Sequence, residues 1–334
     1  MRTAESVSPK HPDKLCDQIS DRILDHCLKA DPNTRAAVEV MGGHGEVYVT
    51  GELTTAADTS ESTLYGLVSD LIPEMPVIFN LVRQSPEIAA GVDVGGAGDQ
   101  GIMVGYATAE TKSRLPLELE LARDLNARLF NYYGTDGKTQ ITLTDDGAID
   151  TVVASFQSAV AEDITTHILE WMEGKLAIPV PHIYANPAGD WSMGGFEADA
   201  GLTGRKLAVD NYGPGVPIGG GAFSGKDATK VDRSGAYMAR AIAVTLLEDL
   251  LAIEANVQEV MVRLAYAIGR AEPVEMTAIV RYTAEVQVLD ITGQYDCRPQ
   301  AIIDQLKLRE PQYEECAAFG HFGAGRTWDK PLER

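Results

Sequence analysis

The chain has 334 residues, 45% of them apolar and 23% charged, the balance of a globular protein longer than one typical domain. Its 49 acidic residues against 28 lysines and arginines leave a formal charge of −21. That excess excludes non-specific nucleic-acid binding and attraction to an anionic membrane surface, and an anionic substrate must be captured by a local cluster of cations.

No run approaches about 18 apolar residues, and Met1-Arg2-Thr3-Ala4-Glu5 lacks an apolar signal segment. Cys16, Cys27, Cys297 and Cys316 form no C-x-x-C pair, as in a reducing compartment, and the reading is a soluble cytoplasmic protein. His11, His26, His44, His167, His182 and His321 share no ligand spacing with the cysteines, which argues against zinc.

Pro12 opens an amphipathic helix with Leu15, Ile19, Ile23 and Cys27 or Leu28 on one face, closed by Asp31-Pro32-Asn33. His11 falls just before its start and Asp13 in its first turn. A histidine and a carboxylate there can handle phosphate oxygens and a metal. An acid in a first turn is also routine dipole compensation, and a lone histidine is often structural.

Residues 35–41 and 46–53 read as a hairpin around Gly42-Gly43-His44-Gly45, followed by a helix over 60–71 and a short strand near 77–82. The run Gly95-Gly96-Ala97-Gly98-Asp99-Gln100-Gly101 is a glycine loop with one carboxylate, leading into a strand over 101–108. A helix over 115–133 comes next. Asp136-Gly137-Lys138 leads into strands 138–143 and 149–156, which flank the turn Asp145-Asp146-Gly147, and a helix over 162–171 follows. Beyond Gly201-Leu202-Thr203-Gly204-Arg205-Lys206, the spacing predicts a helix over 228–251, strands 259–267 and 274–282, and a helix over 299–306.

Helix, hairpin, helix recurs in each third. This suggests an α+β fold of three similar subdomains, near 1–90, 91–189 and 190–334, each packing helices on one face of a mainly antiparallel sheet.

The most informative stretch runs from Gly219 to Ser234, where three glycines lead through Gly225 into Lys226, Lys230 and Arg233 alternating with Asp227 and Asp232. Asp227 is the candidate N-cap, with Lys230 in the first turn. Cations at a helix N-terminus oppose its dipole unless a polyvalent anion fills the space between them. Carboxylates beside them suit Mg²⁺. The alternative is a solvated helix start whose charges pair along one face. A P-loop is a near miss: Asp227 stands where a hydroxyl should follow Gly225-Lys226, and 210–217 is turn-rich where an apolar strand is required. No Ser-His-Asp or Cys-His context supports a hydrolase.

The segments ESVSPKHPDK, GAGDQG, GLTGRK, GGGAFSGKDATKVDRS and AAFGHFG together resemble the methionine adenosyltransferase (S-adenosylmethionine synthetase) family, from Glu5 to about Lys330. The resemblance implies three α+β subdomains about a pseudo-threefold axis. It also implies a homodimer or homotetramer with active sites at the dimer interface. The implied reaction belongs to S-adenosylmethionine biosynthesis in one-carbon metabolism. Methionine sulfur attacks C5′ of ATP and expels triphosphate, which is hydrolysed to pyrophosphate and phosphate.

By the same resemblance, His11 stabilises the departing oxygen, and Lys138, Arg205, Lys206, Lys226 and Lys230 clamp the phosphates. Asp13 and Asp232 each hold one of two Mg²⁺, and Glu39 holds a K⁺. Asp136 contacts the nucleoside and Trp191 stacks on adenine. Glu52, Gln84, Asp99, Asp199 and Lys230 surround methionine. Two departures stand out: the run 91–97 is short where the family carries a longer mobile loop, and Pro9-Lys10 replaces the commoner Glu-Gly. Competing readings are another ATP-dependent phosphoryl transferase, which lacks a base beside an acceptor site, and an inactive regulatory homologue, which tends to lose the residues retained here.

Overall fold

The structure is a computed structural model, and it describes residues 1–84, 95–173, 182–253 and 256–333. Three four-stranded sheets repeat one plan. In the first third, α1 (Pro12–Ala30) precedes the hairpin β2 (Arg35–Gly43) and β3 (Glu46–Thr54), then α2 (Glu61–Val68) and β4 (Val77–Val82). In the second, α3 (Leu117–Tyr133) precedes β6 (Gly137–Leu143) and β7 (Ile149–Phe156), then α4 (Ala161–Met172) and β8 (His182–Ala185). In the last, after the short α5 (Leu207–Asp210), α6 (Val231–Ile253) precedes β10 (Val257–Tyr266), β11 (Glu275–Tyr282) and β12 (Val286–Asp290), with α7 (Pro299–Gln305) and α8 (Tyr313–Phe319) following.

Each hairpin lies at the centre of its sheet, and its first strand pairs antiparallel with a strand from elsewhere in the chain. The borrowed strand is β9 (Gly201–Leu202) beside β2, β1 (Arg2–Val7) beside β6, and β5 (Gly101–Thr108) beside β10. Every sheet therefore crosses the thirds read from the sequence. β4 and β8 join their hairpins in parallel, and each follows a helix, as a parallel connection requires. β12 follows β11 through a turn and pairs antiparallel.

Each long helix covers its hairpin's first strand, so the buried face alternates along it: Ala36, Val38 and Val40 are buried while Ala37, Glu39 and Met41 face the other way. One apolar cluster joins the first and third sheets and a second sits in the central one. The four cysteines are buried and unpaired. Among the described residues no helix is long and apolar enough to cross a membrane.

Candidate active site

His11 is the N-cap of α1: its Nδ1 accepts the Asp13 N–H at 3.2 Å. Burial, then the Lys206 and Lys138 ammonium groups, push its pKa down to about 3 against the pull of Asp13 and Asp199. The ring is neutral, and with Nδ1 acting as acceptor its proton sits on Nε2 as a hydrogen-bond donor. Burial alone raises the Asp13 carboxyl, but the Lys206 ammonium and the Leu202 N–H (2.9 Å) hold it below the usual carboxylate range. Arg205 Nε stands 3.5 Å from Oδ1, the oxygen that also accepts the Leu202 N–H.

The loop carrying Arg205 and Lys206 lies directly over the start of α1. A Cβ at Gly201 would sit 2.2 Å from the Pro12 carbonyl oxygen, so only glycine lets β9 reach the helix. Asp136 accepts the Gly195 N–H at 3.0 Å, burial raises its carboxyl, and Trp191 accepts the Ser158 N–H on the same shelf. Lys138 is exposed and has no side-chain hydrogen bond or ion pair among the described residues. His11, Asp13, Asp136, Lys138, Trp191, Asp199, Arg205 and Lys206 thus form one cluster.

A second cluster gathers at the start of α6. Lys226 Nζ bonds Asp232 Oδ2 at 2.8 Å and Lys230 Nζ bonds Asp227 Oδ2. They line a cleft of about 580 Å³ with Glu52, Gln84, Asp99, Asp232 and Ile268. Asp199, read as a methionine contact, lies near His11 in the first cluster. Glu39 is exposed two residues along β2 from Ala37, which lines the cleft, and is outside its wall.

Both clusters hang on the same edge of β2. Leu202 pairs with Met41 and Lys226 bridges Ala37, four residues and about 13 Å apart along the strand. Gly225 has φ +80°, and a Cβ there would stand 1.9 Å from the Val38 carbonyl oxygen, so the second loop also needs glycine at its contact with β2.

Two expectations are corrected. The helix begins at Val231 rather than 228, and Asp227 does not cap it. Its Oδ2 is drawn to the Ala36 N–H at 2.7 Å and its Oδ1 to Thr229 N–H at 2.9 Å, which fixes a turn against β2 and leaves Lys230 ahead of the helix. Arg233, the third cation of that charge run, faces away from the cleft. It is fully buried, forked onto both Asp21 oxygens at 2.9 and 2.6 Å, and lies 4.2 Å over the Tyr313 ring.

That pair belongs to a device the sequence reading missed. Asp13, Asp17, Asp21 and Asp25 recur every four residues on α1, all buried, and each accepts backbone N–H groups from another loop. Asp13 takes Leu202, Asp17 takes Gly204 at 2.9 Å, Asp21 takes Gly225 at 2.8 Å, and Asp25 takes residues 312–314. Like charges four apart destabilise an exposed helix, so four in a row signal partners, and this was the available clue. The AAFGHFG motif is likewise structural: buried His321 accepts from Tyr237 OH at 2.7 Å or donates to it, and packs on Phe223 behind the glycine loop. Of the short run 91–97, residues 91–94 lie outside the described residues.

Known proteins resemble the chain over nearly its full length. Residues 1–74, 94–191 and 193–330 match the N-terminal, central and C-terminal domains of S-adenosylmethionine synthetase. The S-adenosylmethionine synthase of Clostridium tetani is 42% identical over 374 aligned positions, covering 96% of this chain and 93% of that one. That of Petrotoga mobilis is 40% identical, covering 99% and 95%. An alignment longer than 334 residues means the relative carries internal segments this chain lacks. The solved structure of an unusual S-adenosylmethionine synthetase from Campylobacter jejuni superposes with a TM-score of 0.87 at 32% identity, covering 98% of this chain and 96% of that one. The chain belongs to the S-adenosylmethionine synthetase family.

Proposed function

We propose that the chain makes S-adenosylmethionine from ATP and methionine, and that the two clusters form one site when two chains meet. The observation that carries this is the neutral His11 with its free Nε2–H among Lys138, Arg205 and Lys206. In the reaction an S–C5′ bond forms, the C5′–O bond breaks, and its electron pair leaves on the triphosphate. His11 Nε2–H donates to that oxygen as its charge develops, and the three cations around it take up charge along the chain. As in triosephosphate isomerase, a neutral imidazole at a helix N-terminus serves as an electrophile rather than an acid. Lys226 and Lys230 clamp the phosphates from the other cluster for displacement and for hydrolysis to pyrophosphate and phosphate. Glu52, Gln84, Asp99 and Asp199 surround methionine, Asp136 contacts the nucleoside, and Trp191 offers a face to adenine.

Among the described residues no three ligating side chains converge. Single carboxylates at Asp13 and Asp232, each paired with a lysine that can turn to phosphate, fit Mg²⁺, which keeps waters and phosphate oxygens as ligands. Two Mg²⁺ held there would neutralise phosphate charge, and Glu39 would hold K⁺.

The homodimer reading rests on the outer face of the first sheet. Leu202, Met41, Tyr48 and Ile78 pair in one row across it, all exposed, with Glu52 and Val82 in the next row but one. A continuous apolar row beside a site residue marks an interface, and a two-fold partner would bring its His11 cluster to this cleft. With no membrane helix among the described residues, we read the enzyme as cytoplasmic.

Mass spectrometry after incubation with ATP, methionine, Mg²⁺ and K⁺ tests the reading. S-adenosylmethionine with pyrophosphate and phosphate is expected; ADP as the stoichiometric nucleotide product contradicts it and points to phosphoryl transfer.

A further inference from the structure

The basic run ahead of α6 divides by burial. Lys226 and Lys230 line the cleft, whereas Arg233 and its partner Asp21 are fully enclosed. A buried ion pair is a poor source of stability, because desolvation offsets the attraction and an apolar pair of similar volume often serves as well. Arg233 also keeps its Nε–H buried without a hydrogen-bond partner among the described residues. The other contacts of the pair give it a second reason to be there.

Both members reach the backbone at Lys226. Asp21 Oδ1 accepts the Gly225 N–H at 2.8 Å, and Arg233 Nη1 donates to the Lys226 carbonyl at 2.8 Å. The same Nη1 donates to Asp21 Oδ1 at 2.9 Å and Nη2 to Oδ2 at 2.6 Å, so one guanidinium spans the carboxylate and the loop. The rest of the turn is held by backbone. The Gly225 carbonyl accepts the Val38 N–H at 3.0 Å, the Asp227 N–H goes to the Ala36 carbonyl at 3.1 Å, and the Lys226 N–H to the Phe223 carbonyl at 3.2 Å. Every polar backbone group from the Gly225 N–H to the Asp227 N–H is thus satisfied, and the side chains that take part are Asp21 and Arg233.

The start of α6 adds a second hold. Asp232 and Arg233 are neighbours in its first turn and face opposite ways. Asp232 lines the cleft and takes the Lys226 ammonium at 2.8 Å, while Arg233 ties the same turn to α1 through Asp21. The Tyr313 ring lies 4.2 Å from the guanidinium and backs it from the core.

We propose that Arg233, braced by Asp21, is a positioning residue: it sets where the Lys226 ammonium stands in the cleft, and so how tightly a polyphosphate is held there. This role rests on the proposed reading of the cleft as a polyphosphate site. Arg233 does not face the cleft and acts through Lys226.

The test is calorimetric binding of diimidotriphosphate, a triphosphate that resists hydrolysis, to the full-length chain with Mg²⁺, the folded fraction of each variant being followed by circular dichroism. Arg233→Lys keeps a cation beside Asp21 but cannot reproduce the fork onto the Lys226 carbonyl, and should weaken binding about three- to tenfold. In a Lys226→Ala background the same substitution should cost less than about twofold, because the group it positions is gone. Asp21→Leu/Arg233→Met exchanges the pair for apolar side chains, which often preserves stability, and should weaken binding at least as much as Arg233→Lys. Tyr313→Phe is the control for general loosening: it removes the buried hydrogen bond from the Tyr313 hydroxyl to the Leu308 carbonyl, leaves the ring beside Arg233, and should change binding by less than about twofold. Unchanged binding in Arg233→Lys or in the apolar pair overturns the positioning role. Equal losses with and without Lys226 place the action of Arg233 elsewhere and overturn it too, as does a matching loss in Tyr313→Phe. If Lys226→Ala alone binds the probe as tightly as wild type, the reading of the cleft fails, and that failure is seen before any Arg233 variant is made.

Discussion

The two ends of the open β2 edge use one device for two purposes. At each end a glycine loop presses a lysine onto an aspartate, Lys206 on Asp13 and Lys226 on Asp232. At the α1 end the assembly is closed: His11 and Asp13 are 6% and 1% exposed, and both Asp13 oxygens are occupied. At the α6 end it opens onto a cleft lined by Glu52, Gln84 and Asp99. On the proposed mechanism the closed end is preorganised for charge that develops in a transition state, and the open end holds groups that stay charged throughout. Beneath both, the aspartates of α1 fix the loops through backbone N–H groups. On that reading the site pairs open to phosphate, whereas the buried pairs hold the fold.

Breaking the buried layer has the largest effect. Asp21→Asn leaves Arg233 buried beside a neutral amide, and loss of a buried ion-pair partner costs about 3–5 kcal/mol. Thermal and denaturant unfolding should show that loss; a change within experimental error contradicts a structural role for the pair.

His11→Ala should separate the two chemical steps. Removing one preorganised donor slows S-adenosylmethionine formation by about 10²–10³, while hydrolysis of added tripolyphosphate changes less than about tenfold. Equal losses in both assays remove His11 from the C5′–O step. Lys226→Ala should instead impair both reactions by about 10- to 100-fold, the worth of a charge-assisted hydrogen bond. If only one reaction suffers, the open end does not serve both.

Much of this was readable beforehand. The helix at 12–30, the three hairpins and the glycine loops all carry local signals: Pro12 at a helix start, alternation along 35–41 and 149–156, and glycines before Lys226 and Lys206. Which strands pair was not readable, because β1, β5 and β9 join sheets far away in sequence. Spacing alone does not separate Arg233 from Lys226 and Lys230, which face the cleft, and only the fold shows Asp21 beneath it. Asp227 looked like a cap because local spacing cannot reveal the Ala36 N–H that claims it.

Proton binding gives two further tests. Asp17, with Lys14 at 2.9 Å and Asp210 on the far side of that ammonium, is pushed up to about 7 by burial, against Lys14 and with the help of Asp210. Its folded pKa exceeds its unfolded one, so the folded state holds the extra proton and stability falls as pH rises from about 4 to about 7. Asp17→Asn keeps an acceptor for the Gly204 N–H and should flatten that slope in unfolding measured at pH 5 and 7.5. An unchanged slope assigns it to other groups. For His11, nitrogen-15 NMR of the free protein should show a neutral ring, protonated on Nε2, from pH 5 to 8. Titration near the ordinary histidine value contradicts the closed environment described for that end.

Subunit complementation tests most directly whether the two ends meet across two chains. His11→Ala and Lys226→Ala chains, each strongly impaired alone, are unfolded together, refolded at equal concentration and assayed for S-adenosylmethionine. Random pairing makes half the dimers mixed, each with one intact site, so activity should recover to about a quarter of wild type. If both residues act within one chain, every site stays defective and the mixture shows no more activity than its parents.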